Sequence, residues 1–359
     1  MKKKGKNTPG TPFSVTLLRW HREQNTRSMP WKGEKDPYRI WLSEIILQQT
    51  RVEQGLAYYE RFTATYPRIT DLAAAPDTAV LKLWEGLGYY SRCRNLIATA
   101  RIVANDFNGQ FPGNYDDIRS LKGIGPYTAA AIASFAFNLP YAVLDGNVFR
   151  VLSRIFGIDT PIDSSTGKKQ FAALAQELLD KEHPALYNQA IMDFGAVICK
   201  PAQPLCATCV FREQCVAFRE NLVTALPVKE KKIRIRKRRF NYLVLHYRDQ
   251  WMIRERTTRD IWQQLYDFPL LETETDIPPE QIIANAEQEG FIPAGTQLLE
   301  VSEEYSQQLS HQQVTARFIH LRIKSKTSLK AAGDWVSGEE LAQYPFPRLV
   351  RQYLDQYLA

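Results

Sequence analysis

No apolar run in this 359-residue chain reaches the roughly 18 residues that a membrane-spanning helix needs. Even Ala129–Leu144 is broken by Ser134, Asn138 and Pro140. Three lysines follow Met1 with no apolar segment behind them, so a secretory signal is not expected. Neither a repeat of roughly 20 to 50 residues nor a low-complexity tract is present, which sets aside solenoids and disordered arrays. Cysteine is scarce at five residues, and the expected reducing, cytoplasmic interior disfavours disulfides. What remains is 44% hydrophobic, 11% aromatic and 24% charged, a soluble globular composition long enough for two packed domains.

The net charge of +7 hides an uneven split. Residues 1 to 239 hold 35 Lys and Arg against 22 Asp and Glu, whereas residues 240 to 359 hold 11 against 17. A basic body with an acidic remainder suits a polyanionic partner, although a solvated basic surface would look the same. The spacing predicts helices over the first two thirds: Asp36-Pro37 is an N-cap followed by proline, and helical patterns recur at Val52–Tyr66, Asp77–Trp84, Ser91–Phe107, Tyr127–Phe137, Val148–Phe156 and Phe171–Leu179. Glycine and proline punctuate them. After Cys215 the pattern changes. Eight basic residues crowd Lys229–Arg239, the best linker, and could serve as a nuclear-import-like run, a tether or a strap on DNA, the strap being favoured. Beyond it, alternation at Tyr242, Val244 and His246, a turn at Arg248-Asp249-Gln250 and a return at Trp251–Ile253 predict a hairpin; a helix at Pro279–Gln288, a β-rich run at Val314–Ile323 and a helix at Leu349–Tyr357 complete a small α/β domain. The resulting division is a basic, flexible tail over 1–12, an all-α domain over 13–225, a linker over 226–239 and an α/β domain over 240–359.

Four cysteines, Cys199, Cys206, Cys209 and Cys215, fall within seventeen residues as C-x6-C-x2-C-x5-C. Thiols clustered this way hold a metal more often than they stay free. Only Cys206 and Cys209 form a tight pair, so an iron–sulfur cluster competes with zinc. Lys200 and Arg212 in the same loop could face phosphate. Leu121-Lys122-Gly123-Ile124-Gly125-Pro126-Tyr127-Thr128 leads into a small-residue helix, where Gly123 and Gly125 would let free N–H groups meet a phosphate; a plain turn into a helix would look alike. Asp145 follows Tyr127 by eighteen residues. It reads as an N-cap ahead of the stripe Val148, Val151, Leu152 and Ile155, and a cap is also held ionised by the helix end, as a sugar cation would require. Glu44 lies among Ile40, Trp41 and Leu47. It is either an ordinary surface glutamate or a carboxyl whose apolar walls raise its pKa and fit it to donate a proton.

Taken in order, Leu42-Ser43-Glu44 through Gln48-Gln49-Thr50-Arg51-Val52, Gly86-Leu87-Gly88-Tyr89-Tyr90 with Arg92, Arg94, Asn95 and Leu96, the glycine hairpin, Leu144-Asp145-Gly146-Asn147, Asn188-Gln189-Ala190 with Met192-Asp193, and the four-cysteine loop resemble the MutY-type adenine DNA glycosylases. The resemblance covers nearly the whole chain, since residues after 240 are similar to that family's Nudix-like domain. It implies an all-α helix-hairpin-helix domain, a [4Fe-4S] cluster on the four cysteines, and removal of adenine opposite 8-oxoguanine or guanine in duplex DNA by a monomer in the bacterial cytoplasm. Glu44 would protonate adenine at N7. Asp145 would face the sugar cation, with Tyr127 and Asn147 in support, and Arg27, Met29 and Trp31 would line the adenine pocket. Gln48, Gln49 and Tyr89, with Gly123, Gly125 and Lys200, would meet DNA. The related endonuclease III-type enzymes, bifunctional lyases, place a lysine where Tyr127 stands, so the resemblance implies a monofunctional enzyme. A non-catalytic DNA-binding protein is the other alternative. Nucleotide diphosphate hydrolysis needs an acidic helix, and Ile282–Gly290 offers only Glu287 and Glu289. The family's Phe-Ser-His lesion-reading loop appears as Leu309-Ser310-His311, and its Gly-Leu-Trp as Asp260-Ile261-Trp262.

Overall fold

The computed structural model describes residues 12–230, 235–326 and 333–358. Most of the tail expected over 1–12 and part of the expected linker lie outside the described residues. Among those described, no helix is long and apolar enough to cross a membrane. The chain divides into two compact units, Met1–Ala74 with Asn95–Lys231, and Ala75–Arg94 with Lys232–Ala359.

The helices run, in chain order, α1 (Pro12–Glu23), α2 (Pro37–Leu47), α3 (Val52–Thr65), α4 (Ile69–Ala74), α5 (Asp77–Leu83), α6 (Tyr90–Asp106), α7 (Tyr115–Ser120), α8 (Pro126–Phe137), α9 (Gly146–Phe156), α10 (Ser165–Leu178), α11 (Pro184–Val197) and α12 (Val216–Arg219). Their starts follow from caps: the Asp36, Asn114, Asp145 and Ser164 side chains each accept a backbone N–H of the helix they precede. α9 is the hub of the first unit. Its buried Val148, Val151, Leu152 and Ile155 join Leu17 and Trp20 of α1, Phe171 of α10, and Tyr187, Ile191 and Phe194 of α11. Truncating one such Leu or Ile to Ala costs about 2–5 kcal/mol. α2 packs on α3 and α8.

The second unit is a mixed sheet: β1 (Arg236–Tyr247), β2 (Gln250–Glu255), β3 (Tyr266–Asp267), β4 (Leu270–Thr273), β5 (Gln297–Val301), β6 (Tyr305–Gln308), β7 (Gln312–Arg322) and β8 (Asp334–Ser337), with α13 (Pro279–Gln288), α14 (Gly338–Leu341) and α15 (Arg348–Tyr357). The order along the sheet is β3-β2-β1-β7-β5, with β4 on β1, β6 on β7 and β8 on β2. β1 and β7 are parallel, Leu243 opposite Ile319 and Leu245 opposite Leu321. Those four side chains share a core with Ile282 and Ala286 of α13. On the opposite face Tyr242 stacks on Phe318, which stacks on Tyr353 of α15 at 3.6 Å between ring centroids. Covering both faces explains why Tyr242 to Leu245 are all fully buried.

Two boundaries differ from the sequence expectation. The strand β1 starts at Arg236, inside the expected linker. Its Arg238 is only 8% exposed and pairs with Asp260 at 2.8 Å and with Glu272 at 2.6 Å. This arginine is therefore committed within the sheet rather than free for a strap. Segment 75–94, expected in the helical domain, belongs to the second unit. Glu85 accepts from Phe346 N at 2.9 Å and Arg351 Nε at 3.1 Å, Lys82 donates to Tyr344 O at 3.1 Å, and Arg94 donates to Gln263 O at 2.9 Å.

Candidate active site

A cavity of about 750 Å³ in the first unit is lined from α2 and the residue after it by Glu44, Leu47 and Gln48, from α8 by Tyr127 and from the start of α9 by Asp145 and Asn147. The expected base-pocket residues Arg27, Met29 and Trp31 line it as well, and so does Gln49. The two carboxyls thus share one cleft. Burial pushes Glu44 up to about 7; the Tyr127 hydroxyl, donating to Oε2 at 2.7 Å, opposes the rise and the charge of Asp145 adds to it. Burial therefore keeps the proton on Glu44 to a higher pH than an ordinary glutamate would hold it.

Asp145 caps α9, accepting Val148 N–H at 2.7 Å and the Asn147 amide at 2.7 Å. Its pKa departs from the expectation of a group held low by the helix end. Burial outweighs everything else and moves it above the ordinary aspartate range, against Val148, Asn147 and the charge of Arg150. Those donors all favour the anion, whereas Glu44 has one such donor.

The hairpin residues stand apart from the cavity lining. Gly123 takes φ +78°, and a Cβ there would come within 2.6 Å of the Asn95 side chain, so glycine is required on both counts. Gly125 caps α8 with φ −87°, a backbone any residue adopts, and nothing stands within 4 Å of a Cβ there. Gln49 takes φ +59° at an exposed position, a backbone unusual for a side-chain-bearing residue.

The cysteine loop hangs from α9. Arg150, buried, donates to Cys199 O at 2.7 Å, Gly195 O at 2.7 Å and Asn147 Oδ1 at 2.8 Å. One turn on, Arg154 donates to Lys200 O at 2.8 Å and Cys199 Sγ at 3.5 Å. Burial pushes the Cys199, Cys209 and Cys215 thiols up, Cys209 to about 11, and the mutual proximity of the four thiols adds to it. Such proximity opposes free thiolates. Among the described residues no three His, Cys, Asp or Glu side chains are gathered for a single ion.

Comparison with known proteins agrees with this geometry. Residues 42–180 match the HhH-GPD superfamily of base excision DNA repair proteins, and residues 241–356 match the NUDIX domain. The chain is 38% identical over 266 residues to an adenine DNA glycosylase of Buchnera aphidicola subsp. Baizongia pistaciae, a match spanning 74% of this chain and 75% of that one. The chain belongs to the adenine DNA glycosylase family. The adenine DNA glycosylase of Mus musculus is 39% identical over 229 residues, 60% of this chain and 44% of that one. In solved structures, a thermostable thymine-DNA glycosylase aligns with TM-score 0.54 at 31% identity, covering 58% of this chain and 95% of that chain. An endonuclease III–DNA complex, at 20% identity and TM-score 0.51, shares the fold.

In this adenine DNA glycosylase the residues expected to read the lesion lie in the second unit. Leu309-Ser310-His311 forms the turn between β6 and β7, closed by Leu309 N–H donating to Gln312 O at 2.7 Å. Ser310 and His311 are exposed and Leu309 half-buried. Tyr89, exposed and at φ +48°, meets the Ser310 hydroxyl with its own. The aspartate that replaces the family's glycine, Asp260, is held by Arg238 and Arg256. Glu287, one of only two acids that Ile282–Gly290 offers toward nucleotide hydrolysis, accepts Gly295 N–H at 2.9 Å. Sequence reading passed over Arg150, Arg154, His21 and Lys32. An Arg pair four residues apart on the strongly amphipathic α9 was the available signal for the first two.

Proposed function

We propose that this adenine DNA glycosylase is a monofunctional enzyme that removes adenine paired with 8-oxoguanine, and with guanine, from duplex DNA. The observation that carries the reading is the shared cavity in which Glu44 holds a proton near neutrality while Asp145 is surrounded by donors that favour its anion. A base inside a duplex is out of reach, so the nucleotide is extruded into this cavity. Arg27, Met29 and Trp31 receive the base. Glu44 gives its proton to N7, adenine leaves neutral, and the sugar develops oxocarbenium character. Asp145, oriented by Asn147, stabilises that cation, and Glu44, now ionised, activates the water that completes hydrolysis. With Tyr127 where a Schiff-base lysine would stand, the strand is left intact.

Gln49, exposed and with a left-handed backbone, fills the space the base leaves, and Tyr89, also exposed and left-handed, meets the DNA. Gln48, the hairpin at Gly123 and Gly125, and Lys200 contact the DNA, the hairpin taking a phosphate on backbone N–H groups at the start of α8. Leu309, Ser310 and His311 read 8-oxoguanine. Cys199, Cys206, Cys209 and Cys215 hold a [4Fe-4S] cluster, supported by their crowding and by two buried arginines at the loop's base. When bound, the cluster supplies rigidity and a fixed charge rather than base chemistry. Arg150 ties that loop's Cys199 carbonyl to Asn147.

The test is incubation with a duplex containing one 8-oxoguanine:A pair, followed by alkali. Base release gives an alkali-labile strand that stays intact without alkali. Cleavage before alkali would indicate a lyase, and no cleavage at all would indicate binding alone.

A further inference from the structure

One buried carboxylate in the first unit takes no part in the chemistry above. Asp193 on α11 is fully buried. Its Oδ1 accepts from Arg27 Nη1 at 2.8 Å and Gln189 Nε2 at 3.0 Å, and its Oδ2 from Asn25 Nδ2 at 2.8 Å and Lys32 Nζ at 3.0 Å; His21 Nδ1 lies 3.9 Å away. A carboxylate has about four lone-pair sites, and here every one is used. Three of the four donors come from residues 24–36, which join α1 to α2 and contain no helix or strand. That segment also carries Met29 and Trp31 into the cavity wall. Its other ties are mostly local: Arg27 N–H donates to Asn25 Oδ1 at 3.0 Å, Lys32 Nζ to Arg27 O at 3.0 Å, Lys32 and Glu34 N–H groups close turns on Met29 and Trp31, and Glu34 Oε1 accepts the Lys35 and Asp36 N–H groups; beyond the segment, Lys35 Nζ reaches Phe135 O at 3.0 Å and Trp31 meets the Tyr59 ring.

Burying a charge is costly unless it is paired and hydrogen-bonded, and an irregular segment loses its shape unless something over-determines it. Both conditions meet at Asp193. We infer that Asp193 is the positioning residue of the base-binding wall: it anchors the segment 24–36 through Arg27, Lys32 and Asn25, and orients Gln189 from its own helix, so that the cavity is formed before a base arrives. The inference rests on the base-release reading for its kinetic consequence, while the anchoring itself is independent of any activity.

Two readouts on the full-length protein separate these. In limited trypsin digestion with mass mapping, the wild type resists cleavage after Arg27 and Lys32, whereas Asp193→Asn is cut there in the folded state. Equal resistance of the two proteins would overturn the anchor, whatever the enzyme does. In single-turnover release from an 8-oxoguanine:A duplex, Asp193→Asn lowers the rate constant about 100-fold, the scale of a misplacement of roughly 1 Å, with duplex affinity and reaction amplitude as in wild type. A loss confined to amplitude would mean partial unfolding and would refute positioning; a wild type that releases no base would sink the functional reading and leave the proteolysis result standing. Should Asp193→Asn fail to fold, Lys32→Met, which leaves Asp193 paired with Arg27, serves instead: cleavage after Arg27 increases if the anchor holds, and an unchanged digest overturns it.

Discussion

The hydroxyl of Tyr127 reaches Glu44 Oε2 at 2.7 Å, and that bond favours the ionised form of the very carboxyl whose proton the reaction needs. Burial wins, leaving Glu44 at about 7. Tyr127→Phe removes the opposing bond, so the Glu44 proton is held to higher pH. In rate–pH profiles of single-turnover release, the descending limb near pH 7 in wild type is expected to move up by roughly one pH unit in the variant. A limb that stays in place, or moves down, would separate Tyr127 from the titration of Glu44.

The same raised pKa has a sign in stability. Glu44 binds its proton more tightly folded than unfolded, so its contribution is fully present below about 4.5 and is lost as pH rises through about 7. Glu44→Gln carries no such penalty. The variant is expected to melt a few degrees above wild type at about pH 8, with the gap shrinking as pH falls toward about 4.5, as calorimetry across that range would register.

Helices α9 and α11 approach each other at one glycine. A Cβ on Gly195 would lie 2.6 Å from the Asn147 Cβ and 3.1 Å from its carbonyl oxygen, and Asn147 in turn donates to Asp145. Gly195→Ala therefore displaces Asn147 and lowers single-turnover release about 10- to 100-fold, with a stability loss of about 1–3 kcal/mol from overpacking. Release at the wild-type rate would show that Asn147 is placed by something else.

The exposed turn at Ser310 and His311 has little to do in holding the sheet together. Ser310→Ala with His311→Ala is expected to leave the melting temperature unchanged and to narrow the preference for 8-oxoguanine:A over G:A, measured as a ratio of release rates on the two duplexes. An unaltered ratio removes the loop from lesion reading.

What could be read in the sequence was whatever depends on near neighbours. Asp36-Pro37 announces α2, the cap at Asp145 announces α9, and Ile40 and Leu47, which line the cavity beside Glu44, come from its own helix. Charges whose partners lie far along the chain were not legible. Asp193 and Arg27 are 166 residues apart, and no local pattern marks them as a pair. Arg238 looked like part of a basic strap for DNA because Asp260 and Glu272, which pair with it, come later and from other parts of the chain. Segment 75–94 reads as helix whichever unit it joins, since its assignment is decided by Glu85 and Lys82 meeting residues near the C-terminus. The upward push on Asp145 was not legible for a related reason: its cap is visible locally, its burial is not.

The account stands on the proton carried by Glu44. Single-turnover adenine release by Glu44→Gln on an 8-oxoguanine:A duplex tests it most directly. An isosteric amide that cannot protonate N7 should bind the duplex as wild type does and release adenine at least about 100-fold more slowly; release within a few-fold of the wild-type rate would contradict it.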